Sequence, residues 1–199
     1  NQLGGVADSE GQNRLNWLRG DNSNEKRLGG IFRNRIKQLL NEQFITGDLS
    51  NATIETYKLG DIVNSDPVYV GTDDFGYGTS AGGLTSAEST GYQTFRATTA
   101  YSTRTPIVYV GANDGMLHGF DARKNVGTIT TGGKELFAYV PNVLFPELSK
   151  LTTPTYSHQY FVDGITNAGD AYFNSQWHTI LAGTTGGGGN AVYALDVTN

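Results

Sequence analysis

The sequence of 199 residues contains no cysteine and only one methionine. The absence of cysteine excludes a disulfide scaffold, thiolate metal sites and a cysteine nucleophile. Charged residues make up only 17% of the chain, and its net charge of −5 argues against a surface for nucleic acid or for an anionic membrane. No apolar run approaches the roughly 20 residues that a membrane-spanning helix requires, so we predict no membrane span.

Glycine and aromatic residues are abundant instead. The chain contains 27 glycines, 11 tyrosines and 9 phenylalanines. Many glycines and few charges are typical of a loop-rich extracellular β protein rather than of a helical cytosolic one. A chain of this length can bury a sizeable core within one domain.

The stretch from Pro106 to Phe120 contains the clearest structural unit. Residues 107–110 are β-branched or aromatic, which predicts a buried strand. Asn113-Asp114-Gly115 predicts a tight turn, residues 116–120 a returning strand, and residues 135–140 a third strand after a glycine-rich loop. This succession of strands is the meander of one propeller blade.

Similar units occur elsewhere in the chain. Apolar runs at residues 67–71 and 180–183 also end in glycine, and a further strand is predicted at 192–196. Gly71, Gly111 and Gly183 lie 40 and 72 residues apart, and a period of roughly 40 suits four-stranded blades. We therefore predict a mainly β fold: a partial β-propeller with a quinoprotein-like repeat, four-stranded antiparallel blades and short helical insertions.

Four short helices are predicted around this β structure. The apolar spacing places them at residues 14–19, at 31–41 (through Ile31, Ile36, Leu39 and Leu40), at 92–101 and at 142–151, where Pro146 limits the regular part. A short strand is also predicted at residues 160–162. The expected organisation is a leading segment with a linker at 1–58, followed by the first blades at 59–199. About four to eight blades close a propeller, and no signal peptide opens the chain, so we expect a part of a longer polypeptide.

Five phrases give the sequence a specific family resemblance. They are LGDIVNSDPVYVG at 59–71, YVGANDGMLHGFDA at 109–122, GKELFAYVPN at 133–142, YFVDG at 160–164 and GGGGNAVYALDVTN at 186–199. In this order they resemble the C-terminal propeller of the PilC/PilY family, whose members are type IV pilus tip adhesins and biogenesis factors. The resemblance covers most of the chain from about Trp17 to Asn199.

The resemblance implies a protein without enzymatic activity that supports type IV pilus assembly, control of retraction and surface adhesion. The implied partners are pilus subunits or minor pilins and a host or abiotic surface. The implied location, after export, is the cell surface, at the pilus tip or the outer membrane. Because propellers bind through loops on a rigid scaffold, the turn-rich stretch Thr72–Arg104 is the predicted contact surface.

Two other functions remain open from the sequence. A quinoprotein (PQQ) dehydrogenase would need a tryptophan floor for the quinone, a catalytic aspartate and calcium ligands. Trp17 and Trp177 are the only tryptophans, and neither lies in a blade motif of that kind. A purely structural surface scaffold module cannot be distinguished by sequence from the pilus protein.

No residue pattern predicts a catalytic, metal or phosphate site. The three histidines, His118, His158 and His178, lack paired-ligand spacing, which favours hydrogen-bonded histidines at strand ends. No stretch follows the calcium-loop pattern D-x-[DN]-x-[DN]-G, so aspartates such as Asp114, Asp163 and Asp170 are expected to form turns. The residues Gly186–Gly189 lead into a strand and predict a hairpin turn. We predict no cofactor in these residues; the calcium loop of the PilC/PilY family lies farther along the propeller.

The tripeptide Arg19-Gly20-Asp21 is the one candidate recognition motif. Integrins bind this tripeptide when it is offered on an exposed turn, with the aspartate carboxylate reaching a receptor metal. The structural alternative is a helix end, in which Gly20 is the C-cap and Asp21 forms a turn or caps the next helix. No other ligand-binding residue can be named from the sequence.

Overall fold

The computed structural model describes residues 10–36, 56–79 and 83–199. The chain forms two compact units. The first unit consists of residues 1–61 and 142–159, and the second of residues 62–141 and 160–199. Residues 142–159, which lie between the two stretches of the second unit in the sequence, therefore belong to the unit that contains the start of the chain. No helix in the described residues has the length and apolar character to cross a membrane.

The second unit contains two antiparallel sheets, which confirms the mainly β prediction. One sheet has four strands in sequence order: β1 (Val68–Val70), β2 (Ile107–Gly111), β3 (Leu117–Asp121) and β4 (Glu135–Tyr139). The other has three described strands: β5 (Thr166–Phe173), β6 (Gln176–Thr184) and β7 (Val192–Asp196). The order of β2, β3 and β4 is the one predicted for one blade. The prediction that the run at 67–71 belongs to a separate repeat unit is wrong, because β1 pairs with β2 in the same sheet.

The β2–β3 turn forms as the sequence predicts. The N–H of Gly115 donates to the Ala112 carbonyl at 3.3 Å, and the N–H of Ala112 donates to the Met116 carbonyl at 3.0 Å. Gly115 has a φ of +93°, a conformation that a side chain would strain. A type I turn followed by a left-handed glycine is a common three-residue hairpin loop.

Strand β5 is the main departure from the predicted strands. The predicted strand at residues 160–162 is wrong: Phe161 and Val162 are buried but lie outside any strand, and β5 begins at Thr166. The β5–β6 hairpin turns at Asn174 and Ser175, whose φ angles of 50° and 63° are those of a type I′ turn. The sequence of β5 contains Asn, Gly and Asp, which are depleted in strands.

The residues between β1 and β2 contain two helices, α2 (Ser86–Ala97) and α3 (Thr99–Ser102). The predicted helix at 92–101 is therefore confirmed in type, but it starts earlier and is interrupted at Thr98. The Thr98 hydroxyl accepts the N–H of Tyr101 at 3.2 Å and so caps α3.

The first unit is organised around a small apolar core. Helix α1 (Gly11–Leu18) confirms the predicted helix near residue 14. The predicted helix at 142–151 is wrong: two 3₁₀ turns, Asn142–Leu144 and Leu148–Thr152, lie on either side of Pro146, which has no N–H to continue a helix. The core contains Trp17, Phe32, Leu144, Leu148 and Leu151.

The helix predicted at residues 31–41 is also wrong where it can be checked. Residues 31–36 are not helical, and Phe32 forms a parallel bridge with Glu25. Residues 37–41 lie outside the described residues. The prediction from apolar spacing fails here because Phe32 and Arg35 both contact Glu25, which lies earlier in the chain.

Candidate interaction surface

The insertion between β1 and β2 carries the predicted contact surface, Thr72–Arg104. Helix α2 begins in a capping box. The Thr85 hydroxyl accepts the N–H of Glu88 at 3.2 Å, and the Glu88 carboxylate accepts the N–H of Thr85 at 2.7 Å. The Thr-x-x-Glu pattern is a local signal for a helix start, and sequence reasoning missed it.

Asp170 on β5 fixes both helices of the insertion. One carboxylate oxygen, Oδ2, accepts the hydroxyl of Tyr92 at 2.9 Å. The same oxygen lies 3.3 Å from the Tyr101 hydroxyl, whose closer acceptor is the Asp73 carbonyl at 2.6 Å. The other, Oδ1, accepts the Thr179 hydroxyl at 2.7 Å. Asp170 and its three hydroxyl neighbours, Tyr92, Tyr101 and Thr179, are buried. The prediction that Asp170 forms a turn is therefore wrong, since it lies inside a strand and anchors a distant segment.

The guanidinium of Arg104 is linked to the Asp170 carboxylate through the hydroxyl of Thr179. Arg104 donates through Nη1 to the Thr179 hydroxyl at 2.8 Å, and its guanidinium lies 4.0 Å from the centre of the Tyr101 ring. Burial raises the pKa of the Tyr92 and Tyr101 phenols, and the Asp170 carboxylate raises it further. Both phenols therefore remain hydrogen-bond donors across the physiological pH range.

Aromatic rings complete the attachment of the insertion to the sheet. The Tyr77 ring stacks on Trp177 at 5.3 Å between centroids, and Tyr92 packs against the same indole at 4.7 Å. The indole N–H of Trp177 donates to the Glu88 carbonyl at 3.0 Å. Trp177 is thus enclosed by protein groups, an environment unlike the open tryptophan floor that a quinone would need.

The exposed residues of helix α2 are uncharged and rich in hydroxyl groups. They are Ser86, Ala87, Thr90, Gln93, Thr94 and Ala97. An ion pair of 2.7 Å between Arg96 and Asp74 joins α2 to the loop that precedes it. The insertion therefore presents a polar surface on a firmly anchored base, as expected of a binding surface rather than of a catalytic cleft.

Three of the five phrases that carry the family resemblance are joined by hydrogen bonds in the second unit. Asn64 donates from its side chain to Asp163 at 2.7 Å, and the Ser65 hydroxyl accepts the N–H of Gly111 at 2.8 Å. The Asn113 side chain accepts the N–H of Phe161 at 2.9 Å. These polar residues join separate segments of the fold, which is a structural role.

Arg19, Gly20 and Asp21 end helix α1 in the first unit. The N–H of Gly20 donates to the Trp17 carbonyl at 2.9 Å and that of Asp21 to the Asn16 carbonyl at 3.0 Å, a Schellman motif with Gly20 at a φ of +104°. Arg19 and Asp21 are both exposed. The N–H of Ser23 donates to the Asp21 carboxylate at 2.8 Å, which lowers the pKa of that carboxyl.

The three histidines are not brought together. Each instead contacts a carboxylate: His118 contacts Glu135 at 2.6 Å, His158 contacts Asp61 at 2.8 Å, and His178 contacts Asp196 at 2.7 Å. Among the described residues, no group of three or more His, Asp or Glu side chains is placed to hold a metal ion. That the chain binds no metal stays a prediction.

Comparison with known proteins identifies similar sequences over most of the chain. The family described as "PilY1 beta-propeller domain" matches residues 59–199. The type IV pilus biogenesis factor PilY1 of Pseudomonas aeruginosa strain PAK is 40% identical over 202 residues, which cover 98% of this chain and 14% of that protein. A PilY1 homolog of Xylella fastidiosa is 40% identical over 189 residues, covering 94% of this chain and 13% of that protein.

A solved structure is also similar to this chain. The crystal structure of the Pseudomonas aeruginosa PilY1 C-terminal domain aligns with a TM-score of 0.39 and 42% identity, over 54% of this chain and 18% of that chain. The chain thus spans about one seventh of the length of the full-length relatives.

Proposed function

The chain belongs to the family of PilY1 β-propeller domains, and from this membership we propose that it is a non-enzymatic binding module of a type IV pilus biogenesis factor. Relatives 40% identical to it carry that name. The module would support pilus assembly, oppose retraction and contribute to surface adhesion. Its expected place is the cell surface, at the pilus tip or the outer membrane.

The contact surface we propose is the insertion at residues 72–104. Asp170, Trp177 and Arg104 hold it on the sheets, so its exposed residues are fixed before any partner binds. Binding to a fixed surface loses less conformational entropy than binding to a mobile one. Hydroxyl and amide groups on α2 suit a polar protein surface, for which pilus subunits or minor pilins are the proposed partners.

The non-enzymatic role is favoured over the quinoprotein dehydrogenase by the environment of the tryptophans. Trp177 is covered by Tyr77 and Tyr92, and Trp17 is buried under the guanidinium of Arg35 at 3.8 Å. Neither indole offers a free face on which a quinone could stack. A purely structural scaffold module would share these features, and only an experiment in cells separates it from a pilus protein.

Disrupting the parent gene in the source bacterium is expected to remove surface pili, and disabling retraction is expected to restore them. This result follows if the protein opposes retraction. Pili are counted by electron microscopy, and twitching is measured on agar. Unchanged pili and twitching in the disrupted strain would overturn the proposed role.

The contact surface is tested in the same strain by complementation. A gene with Thr90→Lys and Thr94→Lys places two cations on the exposed side of α2 and is expected to restore fewer pili than the unchanged gene. Thr128→Lys with Thr130→Lys, at exposed positions of the β3–β4 loop, is the matched control. Full restoration by the α2 variant would remove the insertion as the contact surface while leaving the pilus role intact.

A second binding function is proposed for Arg19-Gly20-Asp21. The observation that favours it is the exposure of both charged side chains at a tight turn, with an Asp21 carboxyl whose pKa is lowered and which is therefore ionised at neutral pH. Integrins would be the receptors, as the tripeptide predicts.

Asp21→Glu is expected to reduce attachment of host cells to immobilised protein by at least about tenfold, because one extra methylene moves the carboxylate away from a receptor metal. Asp66→Glu, at another exposed aspartate, should leave attachment unchanged. Full attachment to the Asp21→Glu protein would eliminate integrin recognition.

A further inference from the structure

His118 contacts two carboxylates that come from different parts of the sheet. The side chain lies on β3 and is only 4% exposed. Its Nδ1 lies 2.6 Å from the Glu135 carboxylate on β4, and its Nε2 lies 3.0 Å from both oxygens of Asp114 in the β2–β3 turn. Ionised carboxylates only accept hydrogen bonds, so both ring nitrogens donate and the ring is an imidazolium.

The remaining neighbours of this histidine carry no charge. Its partners across the sheet are Val110 on β2 and Ala138 on β4, and the Phe120 ring stacks beside it at 5.9 Å between centroids. Among the described residues, Asp114 and Glu135 are therefore the charged groups that face the ring. If the His118 ring loses one proton, one of its nitrogens faces a carboxylate with a lone pair. The hydrogen bond at that nitrogen is then replaced by electrostatic repulsion.

We propose that His118 is a proton-operated latch, in which the imidazolium holds the start of β4 and the β2–β3 turn against β3, and loss of its proton releases β4. Strand β4 forms an outer edge of its sheet, and its Leu136 and Phe137 side chains are 46% and 37% exposed. The latch does not depend on the pilus role.

The latch is closed at low pH and opens as the pH rises. Burial lowers the pKa of His118, but Asp114 and Glu135 outweigh burial and raise it above its ordinary value. A histidine whose pKa is raised on folding stabilises the folded state fully below its unfolded-state pKa. That stabilisation is lost as the pH rises through the folded-state pKa.

Hydrogen exchange measured on the 199-residue chain tests the latch. Between pH 6 and pH 9, the protection factors of those amides within Leu136–Tyr139 that donate to β3 are expected to fall by at least about tenfold. The fall should occur at the titration midpoint of His118, measured by NMR of its ring nitrogens. The amides of β5 and β6 exchange by global unfolding, which also releases His118, so they should remain more protected than the β4 amides at every pH.

Variants test whether the pH-dependent change in hydrogen exchange comes from the His118 proton. His118→Gln should remove the pH step and leave β4 weakly protected throughout, while His178→Gln, which breaks the His178–Asp196 pair on the other sheet, should retain the step. If His118→Gln does not fold, Glu135→Gln at a half-exposed position decides the matter, because it should shift the step to lower pH. A His118 midpoint at or below 6.5, no step in the wild-type chain, or an unmoved step in Glu135→Gln would each overturn the latch.

Discussion

Asp170→Ala is expected to lower the free energy of unfolding by about 3 to 5 kcal/mol. Two buried hydroxyl groups, those of Tyr92 and Thr179, donate to this carboxylate at 2.9 and 2.7 Å. Without it, both remain buried with a lost acceptor, whereas Tyr101, at 3.3 Å from Asp170, keeps its closer acceptor, the Asp73 carbonyl at 2.6 Å. Hydrogen bonds to a charged group are stronger than those between neutral groups. Arg104 is linked to the same carboxylate through the Thr179 hydroxyl, which accepts from Arg104 and donates to Asp170.

Asp170→Ala should loosen the insertion locally as well as lower the stability of the whole fold. Because Asp170 holds α2 and α3 on β5, its removal should free the insertion and loosen the rings of Tyr77 and Tyr92 around Trp177. We expect a weaker near-ultraviolet circular dichroism signal and a redder Trp177 emission below the main unfolding transition. Urea unfolding followed by both signals measures the two effects.

Asp196→Ala is the matched control for this prediction. Asp196 lies on β7 of the same sheet, is exposed, and contacts His178 and Thr198. Exposed interactions of this kind contribute about 1 kcal/mol or less. Equal destabilisation by the two variants would contradict the anchoring role of Asp170, and Asp170→Asn, which keeps acceptor oxygen but loses charge, should fall between them.

The hairpin of the four-stranded sheet was predictable because its signals are local. Residues 107–110 are continuously apolar, and Gly115 supplies the left-handed conformation that the turn needs. Strand β5 was not predictable in this way. Its Asn167, Gly169 and Asp170 argue against a strand locally, and pairing with β6 over its whole length outweighs that preference.

The sequence predicted where the candidate surface lies but not which contacts hold it on the sheet. A turn-rich stretch between two strands favours an exposed insertion, and the capping residues Thr85 and Glu88 give its helix start locally. The anchor is not local. Tyr92 and Asp170 are 78 residues apart, and no spacing rule connects residues so distant. Burial of Asp170 follows only from the packing of α2 on the sheet.

The first unit also contains a buried charged site that the sequence did not predict. Glu25 is fully buried, and its carboxylate contacts the Nε atoms of Arg27 at 2.8 Å and of Arg35 at 3.2 Å. Arg35 also donates to the backbone carbonyls of Trp17 at 2.6 Å and Asp21 at 2.9 Å. The sequence predicts a helix at residues 31–41 from apolar spacing and gives no sign of a buried charge, whereas in the structure Glu25 and Arg35 form a buried ion pair.

Glu25→Ala is expected to destabilise the first unit by about 3 to 5 kcal/mol, because it leaves the Arg35 guanidinium buried without its counter-charge. Burial already lowers the pKa of Arg35, and Glu25 opposes that effect. Trp17 lies directly under this guanidinium, so its fluorescence in a Trp177→Phe background reports unfolding of the first unit by urea.

Two further variants separate the ion pair from general damage. Glu147→Ala removes the exposed Glu147–Lys150 pair in the same unit and should cost less than about 1 kcal/mol. Glu25→Leu combined with Arg27→Met and Arg35→Met replaces the carboxylate and both of its cationic partners by apolar groups. This triple variant should recover most of the stability, because the cost comes from the unpaired charges rather than from the lost pairs. A triple variant no more stable than Glu25→Ala would show instead that the bonds from Arg35 to Trp17 and Asp21 carry the stability of this unit.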